Sequence, residues 1–256
     1  MEEQKRKELI IWINRSLIIF AILGAFLGWK VYGIISEYHK AGKEYEEIQG
    51  IALGETQKNG KENSFEMVDF EELSNVNDDI VGWIRFEEPK VINYPIVQGE
   101  DNEKYLTTSF EGQKNGAGCI YMDAENSKDF SDYNTFLHGH NKKNGHMFGS
   151  LEKYKDKNYY KNYPFFDIYT RNGEKSRFQI FAVTLVDASA DSYRKVYVSE
   201  EEYKDYINMV RELALYETEV EVTEKSQIVS LSTCTNVRIE ERLLIHAVKM
   251  NDKNME

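Results

Sequence analysis

The sequence predicts a mainly β domain with peripheral helices, preceded by one membrane-spanning helix. Three observations predict it. From Ile80 onward, short alternating apolar runs are separated by turn residues. Aromatics are plentiful, 17 Tyr, 13 Phe and 3 Trp against 3 Pro, which suits pleated, half-buried surfaces and not a disordered chain. Residues 16–35 form a long apolar stretch near the N-terminus.

At 256 residues the chain has room for one sizeable domain plus appendages. A net charge of −12 argues against nucleic-acid binding, which needs a basic face to neutralise phosphates. Two cysteines, Cys119 and Cys234, allow one disulfide at most and exclude a small disulfide scaffold.

In chain order, residues 1–15 carry Lys5, Arg6, Lys7 and Arg15, a basic flank that favours a cytoplasmic N-terminus. The uncharged core from Ser16 to Trp29 is short for a bilayer. Apolar character resumes at Val31–Ile35, and Lys30 can snorkel to the interface beside Trp29 and Tyr32. Residues 16–35 therefore read as an uncleaved anchor, because no small-x-small site follows as a signal peptide would require. Residues 36–64 are polar, broken by Gly50, Gly54 and Gly60, and read as a partly helical stalk with Tyr38, Tyr45 and Ile48 on a loose stripe. The globular body is assigned to 65–256. A short helix is expected at 67–75, where Met67, Phe70 and Leu73 repeat. Strands follow at Ile80–Phe86, Val91–Val97, Cys119–Met122, Tyr133–His140, Phe178–Val186, Ile228–Cys234 and Leu243–Val248. So many short strands suit a closed barrel or a sandwich. Ser199-Glu200-Glu201-Glu202 is a capping box, and Tyr203, Ile207, Val210 and Leu213/Ala214 recur at helical spacing. An amphipathic helix over 200–216 is expected to pack on the sheet.

Chemistry concentrates at strand ends. In an extended strand Ile228, Ser230, Ser232 and Cys234 share one face, so Cys234 lies on the small polar side. Cys119, between Gly118 and Ile120, reads as buried structural cysteine. If the last two runs pair as an antiparallel hairpin, Arg242 lies at the same end as Cys234, where a guanidinium can stabilise an oxyanion. Arg238 is the rival, in the polar connection. Among the histidines, His246 shares a face with Arg242 but lies four residues, roughly 13 Å, along the strand. His39 is in the stalk. His138, His140 and His146 cluster, so a zinc site is an alternative, although no nearby carboxylate or cysteine is evident to complete it. The residues alone do not choose between His138 and His140.

These motifs resemble the sortases, membrane-anchored cysteine transpeptidases of Gram-positive bacteria, and class B most. The resemblance covers roughly 65–250. It is carried by Asp79-Ile80-Val81-Gly82-Trp83-Ile84, Asn93–Gly99, Asp101–Leu106, Gly118–Asp123, Asn134–His140, Met147-Phe148-Gly149 and Leu231-Ser232-Thr233-Cys234, all in order. It implies an eight-stranded barrel with an N-terminal helical region and a helix between strands 6 and 7. It implies Cys234 as nucleophile, His140 as catalytic histidine and Arg242 as catalytic arginine, with no cofactor and no metal. By the same matching, Asn102, Leu106, Ser232 and Thr233 would line the peptide groove, with Tyr193 a further candidate. His138 stands where relatives carry an aromatic, and Thr235 where some carry an acid; both are expected near the peptide. The partners implied are a surface protein's sorting-signal peptide, an amine of peptidoglycan or its lipid-linked precursor, and the membrane. The alternatives are a pilus-type sortase, or a non-catalytic surface module that could bind zinc. A papain-like hydrolase fits poorly, because there the cysteine precedes the histidine and opens a helix.

Overall fold

The structure, a computed structural model, describes residues 2–53, 68–188, 191–235 and 240–250. The chain divides into two compact units, Met1–Glu44 and Tyr45–Glu256.

The first unit is helical and belongs to α1 (Glu2–Leu53). Its stretch Glu2–Gly33 is long and apolar enough to cross a membrane. Phe20, Trp29 and Tyr32 are exposed along it. α1 ends at Leu53, so it takes in the first part of the residues expected to form a partly helical stalk. Residues 54–64 of that stalk, and Met67 of the predicted short helix, lie outside the described residues.

In the second unit, α2 (Phe70–Val76) is capped by Asp69, whose carboxylate accepts from the Glu72 amide at 3.0 Å. Eight strands among the described residues then form a closed barrel. They are β1 (Ile80–Phe86), β2 (Asn93–Val97), β3 (Ile120–Met122), β4 (Asn134–His138), β5 (Phe165–Thr170), β6 (Lys175–Asp187), β7 (Ile228–Cys234) and β8 (Glu241–Lys249). Their order around the ring is β1-β2-β3-β4-β7-β8-β6-β5. The β2–β3 and β4–β7 pairs are parallel and the other neighbours antiparallel. Trp83, Phe86, Phe136, Phe166 and Leu231 are among the fully buried side chains, and Phe86 stacks on Phe166 with ring centroids 4.8 Å apart.

β5 is a strand that sequence patterning does not reveal. Phe165-Phe166-Asp167-Ile168-Tyr169 carries a carboxylate in the middle of an apolar run, which breaks the period-2 signal. The structure accounts for it: Asp167 takes a two-pronged hydrogen bond from Arg177 on β6, at 2.8 and 3.1 Å. α3 (Lys157–Asn162), a single short turn capped by Asp156, is likewise too brief to leave a periodic signature.

α4 (Glu200–Glu212) is shorter than the expected 200–216. Ser199 Oγ accepts from the Glu202 amide, while the Glu202 carboxylate reaches back to the Val198 amide at 2.7 Å. Tyr203, Tyr206, Ile207 and Val210 pack against Phe181, Ala182, Ile228 and Val248. Beyond Glu212 the chain leaves the helix because it joins β6 instead: the Leu215 amide donates to the Val183 carbonyl and Ala214 bridges Thr184. Leu213, on the sequence-derived stripe, is consequently half-exposed.

Candidate active site

Register sets the site. β7 and β8 pair so that Cys234 lies directly opposite Arg242, with Ser232 opposite Leu244 and Ser230 opposite His246. The Thr235 amide donates to the Glu241 carbonyl at 3.0 Å, holding the two chains together just beyond the ladder. Arg242 gives one N–H to the Glu241 carbonyl at 3.1 Å. The rival Arg238 lies outside the described residues.

The other side of β7 is β4. Its parallel register sets His138 beside Ser232, and the Gly139 amide donates to the Ser232 carbonyl at 3.1 Å. A Cβ on Gly139 would approach Ile120 Cδ1 to 2.5 Å and the Phe148 ring to 2.7 Å, so any side chain here would have to displace both. His140 follows immediately, past the end of the strand.

His140 is half-buried, and its Nε2 lies 2.7 Å from the Leu106 carbonyl oxygen. A carbonyl can only accept, so Nε2 carries the proton and the neutral ring keeps its lone pair on Nδ1. Burial pushes the His140 pKa below the ordinary imidazole value; the Leu106 bond works against that and the Lys142 charge adds to it. Leu106 ends a 3-10 turn, Lys104–Leu106, whose amides at Glu103 and Lys104 are both taken by Asp101. Behind it, Gly118 has φ of +61°, and a Cβ there would lie 2.5 Å from the Tyr105 oxygen and 2.8 Å from the Leu106 oxygen. The Tyr45 hydroxyl, from the end of α1, donates to the Gly118 carbonyl at 2.6 Å.

The remaining sequence-predicted residues divide. Tyr193 is bonded through its hydroxyl to Ser232 Oγ at 2.7 Å and stacks on Phe136. His138 lies 5.1 Å from the Tyr121 ring at 27° and 6.4 Å from Tyr193 at 5°, with Nε2 3.2 Å from Asp123. Asn102 accepts from the Ala124 amide at 2.8 Å, while the Leu106 side chain is 37% exposed. Thr235 donates to the Glu241 carboxylate at 2.8 Å, so an acid stands next to the position that lacks one in sequence. Thr233 differs from the others. Strand alternation turns it to the face opposite Ser232 and Cys234, and it is 2% exposed, its hydroxyl without a partner among the described residues. Its side chain therefore cannot line that face, and only its backbone can meet a peptide there.

The three clustered histidines take three separate partners: His138 to Asp123, His140 to Leu106 and His146 to the Tyr94 hydroxyl. The expectation that no carboxylate lies near them needs correcting, since Asp123 reaches His138 from 15 residues away. No group of three metal-ligating side chains converges among the described residues. Cys119 is a buried thiol that donates to the Thr108 carbonyl at 3.4 Å and accepts from the Tyr45 hydroxyl at 3.4 Å.

A closed mixed barrel with a cysteine opposite an arginine, and a histidine of defined tautomer at the neighbouring strand end, is the scaffold of a cysteine acyl-transfer enzyme. The sortase domain matches residues 87–250, and the chain belongs to the sortase family, the cysteine transpeptidases. Sortase B of Listeria monocytogenes is 31% identical over 233 residues, spanning 87% of this chain and 90% of the relative. The crystal structure of sortase B from B. anthracis in complex with AAEK1 superposes with a TM-score of 0.73 at 32% identity, covering 85% of this chain and 99% of that one. The Staphylococcus aureus sortase B–substrate complex gives 0.75 at 26% identity, covering 85% and 99%.

Proposed function

We propose that this chain cleaves the C-terminal sorting signal of a surface protein after threonine and joins the threonine carbonyl to an amine of peptidoglycan or its lipid-linked precursor. The observation that carries the reading is the pairing of Cys234 with Arg242 across β7–β8, beside a His140 whose Nε2–H is committed to Leu106.

The chemistry balances with these three groups. The Cys234 thiol passes its proton to His140 Nδ1 as the sulfur adds to the threonine carbonyl carbon, and the resulting oxyanion is stabilised by Arg242. The protonated Nδ1 of His140 gives its proton to the leaving amine as the peptide C–N bond breaks, producing a thioester. The incoming amine then adds, loses its proton to Nδ1, and the thiolate departs. Nε2–H stays bonded to Leu106 throughout, which keeps Nδ1 as the working nitrogen. Asn102, Leu106, His138, Tyr193, Ser232 and Thr235 are assigned to the peptide groove. Thr233 is assigned to it through its backbone.

The helix Glu2–Gly33, with its basic N-terminal flank, supports an anchor with the N-terminus in the cytoplasm and residues 65–256 outside, where both substrates arrive. Full-length protein in detergent micelles, incubated with a library of threonine-containing pentapeptides, should give a thioester adduct detectable by mass spectrometry. Cys234→Ala should give none. A Cys234→Ala protein that still cleaves would end the mechanism.

A further inference from the structure

Asp123, at the end of β3, is the most heavily engaged carboxylate beside the groove, and no step of the mechanism uses it. Its side chain is 6% exposed. One oxygen lies 3.2 Å from His138 Nε2; the other accepts from Lys195 Nζ at 2.9 Å and from the Glu125 amide at 3.1 Å. Lys195 also pairs with Glu125 at 2.7 Å. The Asp123 backbone is fixed too: its amide donates to the Phe136 carbonyl, and its carbonyl accepts from Gln98. Burial opposes the charged carboxylate, but the bonds from His138, Lys195 and the Glu125 amide outweigh it and hold the Asp123 pKa well below the usual range. One buried charge thus joins two segments distant in sequence. His138 lies at the end of β4, beside Ser232. Lys195 is two residues past Tyr193, in the stretch between β6 and α4, and Tyr193 reaches Ser232 at 2.7 Å. Ser232 is two residues, roughly 7 Å, before Cys234 on the same strand face.

We propose that Asp123 is a positioning residue for the peptide groove: by clamping His138 and Lys195 it holds the Tyr193 segment over Ser232 and sets the width of the groove next to Cys234. A buried charge pair specifies geometry because either partner left alone is penalised by desolvation. The inference rests on the proposed peptide-binding role of this face. A loosened clamp leaves the thiol and its chemistry in place but lets the wall move, so it weakens peptide binding and not the bond-making step.

The test is steady-state acylation of the full-length protein in micelles by the pentapeptide that reacts fastest in the library. Asp123→Asn should raise KM about tenfold with kcat within about twofold, since a charge-assisted bond is lost from the binding surface alone. Alkylation of Cys234 by iodoacetamide, which needs no groove, should keep its wild-type rate. Tyr193→Phe should raise KM by itself, and adding Asp123→Asn to it should add less than about twofold, because both act through one contact. If Asp123→Asn does not fold, Lys195→Gln decides, because it retains the Asp123–His138 bond and should still raise KM about threefold or more. Wild-type KM in Lys195→Gln, or equal loss of kcat and of the alkylation rate in Asp123→Asn, overturns the clamp. A wild-type protein that no pentapeptide acylates overturns the peptide reading beneath it instead.

Discussion

Two histidine-containing networks flank β7, one at His246 on β8 and one at His140 past the end of β4, and they are wired in opposite senses. Near the strand's start, Ser230 Oγ lies 2.7 Å from His246 Nδ1, a pair that looks like an activated hydroxyl. Its proton runs the wrong way. Ser230 gives its hydrogen to Asn134 Oδ1 at 2.8 Å, so it must accept from His246 Nδ1–H. His246 Nε2 then accepts from Thr184, Asn134 donates to the Tyr206 hydroxyl, and Tyr206 donates to the Ser192 carbonyl. Every member is satisfied, His246 is fully buried, and burial pushes its pKa down to about 3. At the strand's end, His140 has spent its donor on a backbone carbonyl and keeps a lone pair at a half-buried edge. Which nitrogen is already committed, and as donor or acceptor, decides which histidine can move a proton. Proximity to a hydroxyl or thiol does not.

Four substitutions test this contrast. The largest effect is expected from Gly118→Ala. The added Cβ would drive the Leu106 carbonyl off His140 Nε2, and if His140 acts as proposed such misplacement costs about 10²-fold in rate. Single-turnover acylation should fall by that order while the protein remains folded by circular dichroism. Ser230→Ala should do the reverse. It leaves Asn134 Oδ1 and His246 Nδ1–H each short of a partner, at a cost of about 2–4 kcal/mol in urea unfolding, with acylation kcat within about threefold. A collapse of activity there would mean the two networks are not separate.

The third test is pH. Native His246 binds a proton only near pH 3, whereas the unfolded chain binds one near the ordinary imidazole value. As pH falls below about 6.5 the unfolded state takes up a proton that the native state refuses, and stability drops by up to about 1.4 kcal/mol per pH unit. His246→Gln should remove this slope between pH 6 and 4 in urea titrations; an unchanged slope would show that other groups carry the acid sensitivity. The smallest effect belongs to Lys142→Gln. Loss of the nearby charge should move the His140 pKa upward, visible by NMR titration as a shift of the His140 resonances toward higher pH, with stability unchanged.

Much of this was legible in the sequence, in proportion to how local the signal is. Seven of the eight strands announce themselves by alternation, and the hairpin argument that sets Cys234 beside Arg242 and His246 a roughly 13 Å step away matches the observed register. α4 is legible because its cap and its stripe are both contained in a dozen residues. β5 was not, because its central Asp167 is paid for by Arg177 on another strand. The clamp at Asp123 was hidden for the same reason, its partners lying 15 and 72 residues away. The tautomer of His140 depends on a backbone carbonyl, which no residue pattern records. Thr233 shows the limit of motif transfer: a residue can sit inside a functional motif while its side chain serves the core.

The ring of strands has a consequence for how a client is received. Because β5 closes on β1, the sheet has no terminal strand among the described residues to which an incoming segment could add. Recruitment by strand addition, which reads backbone and tolerates varied side chains, is therefore closed to this body. A chain that docks without joining the sheet finds partners for its amides among side chains and loop carbonyls. Selectivity at such a surface is written in loops, which can diverge while the barrel beneath them stays the same.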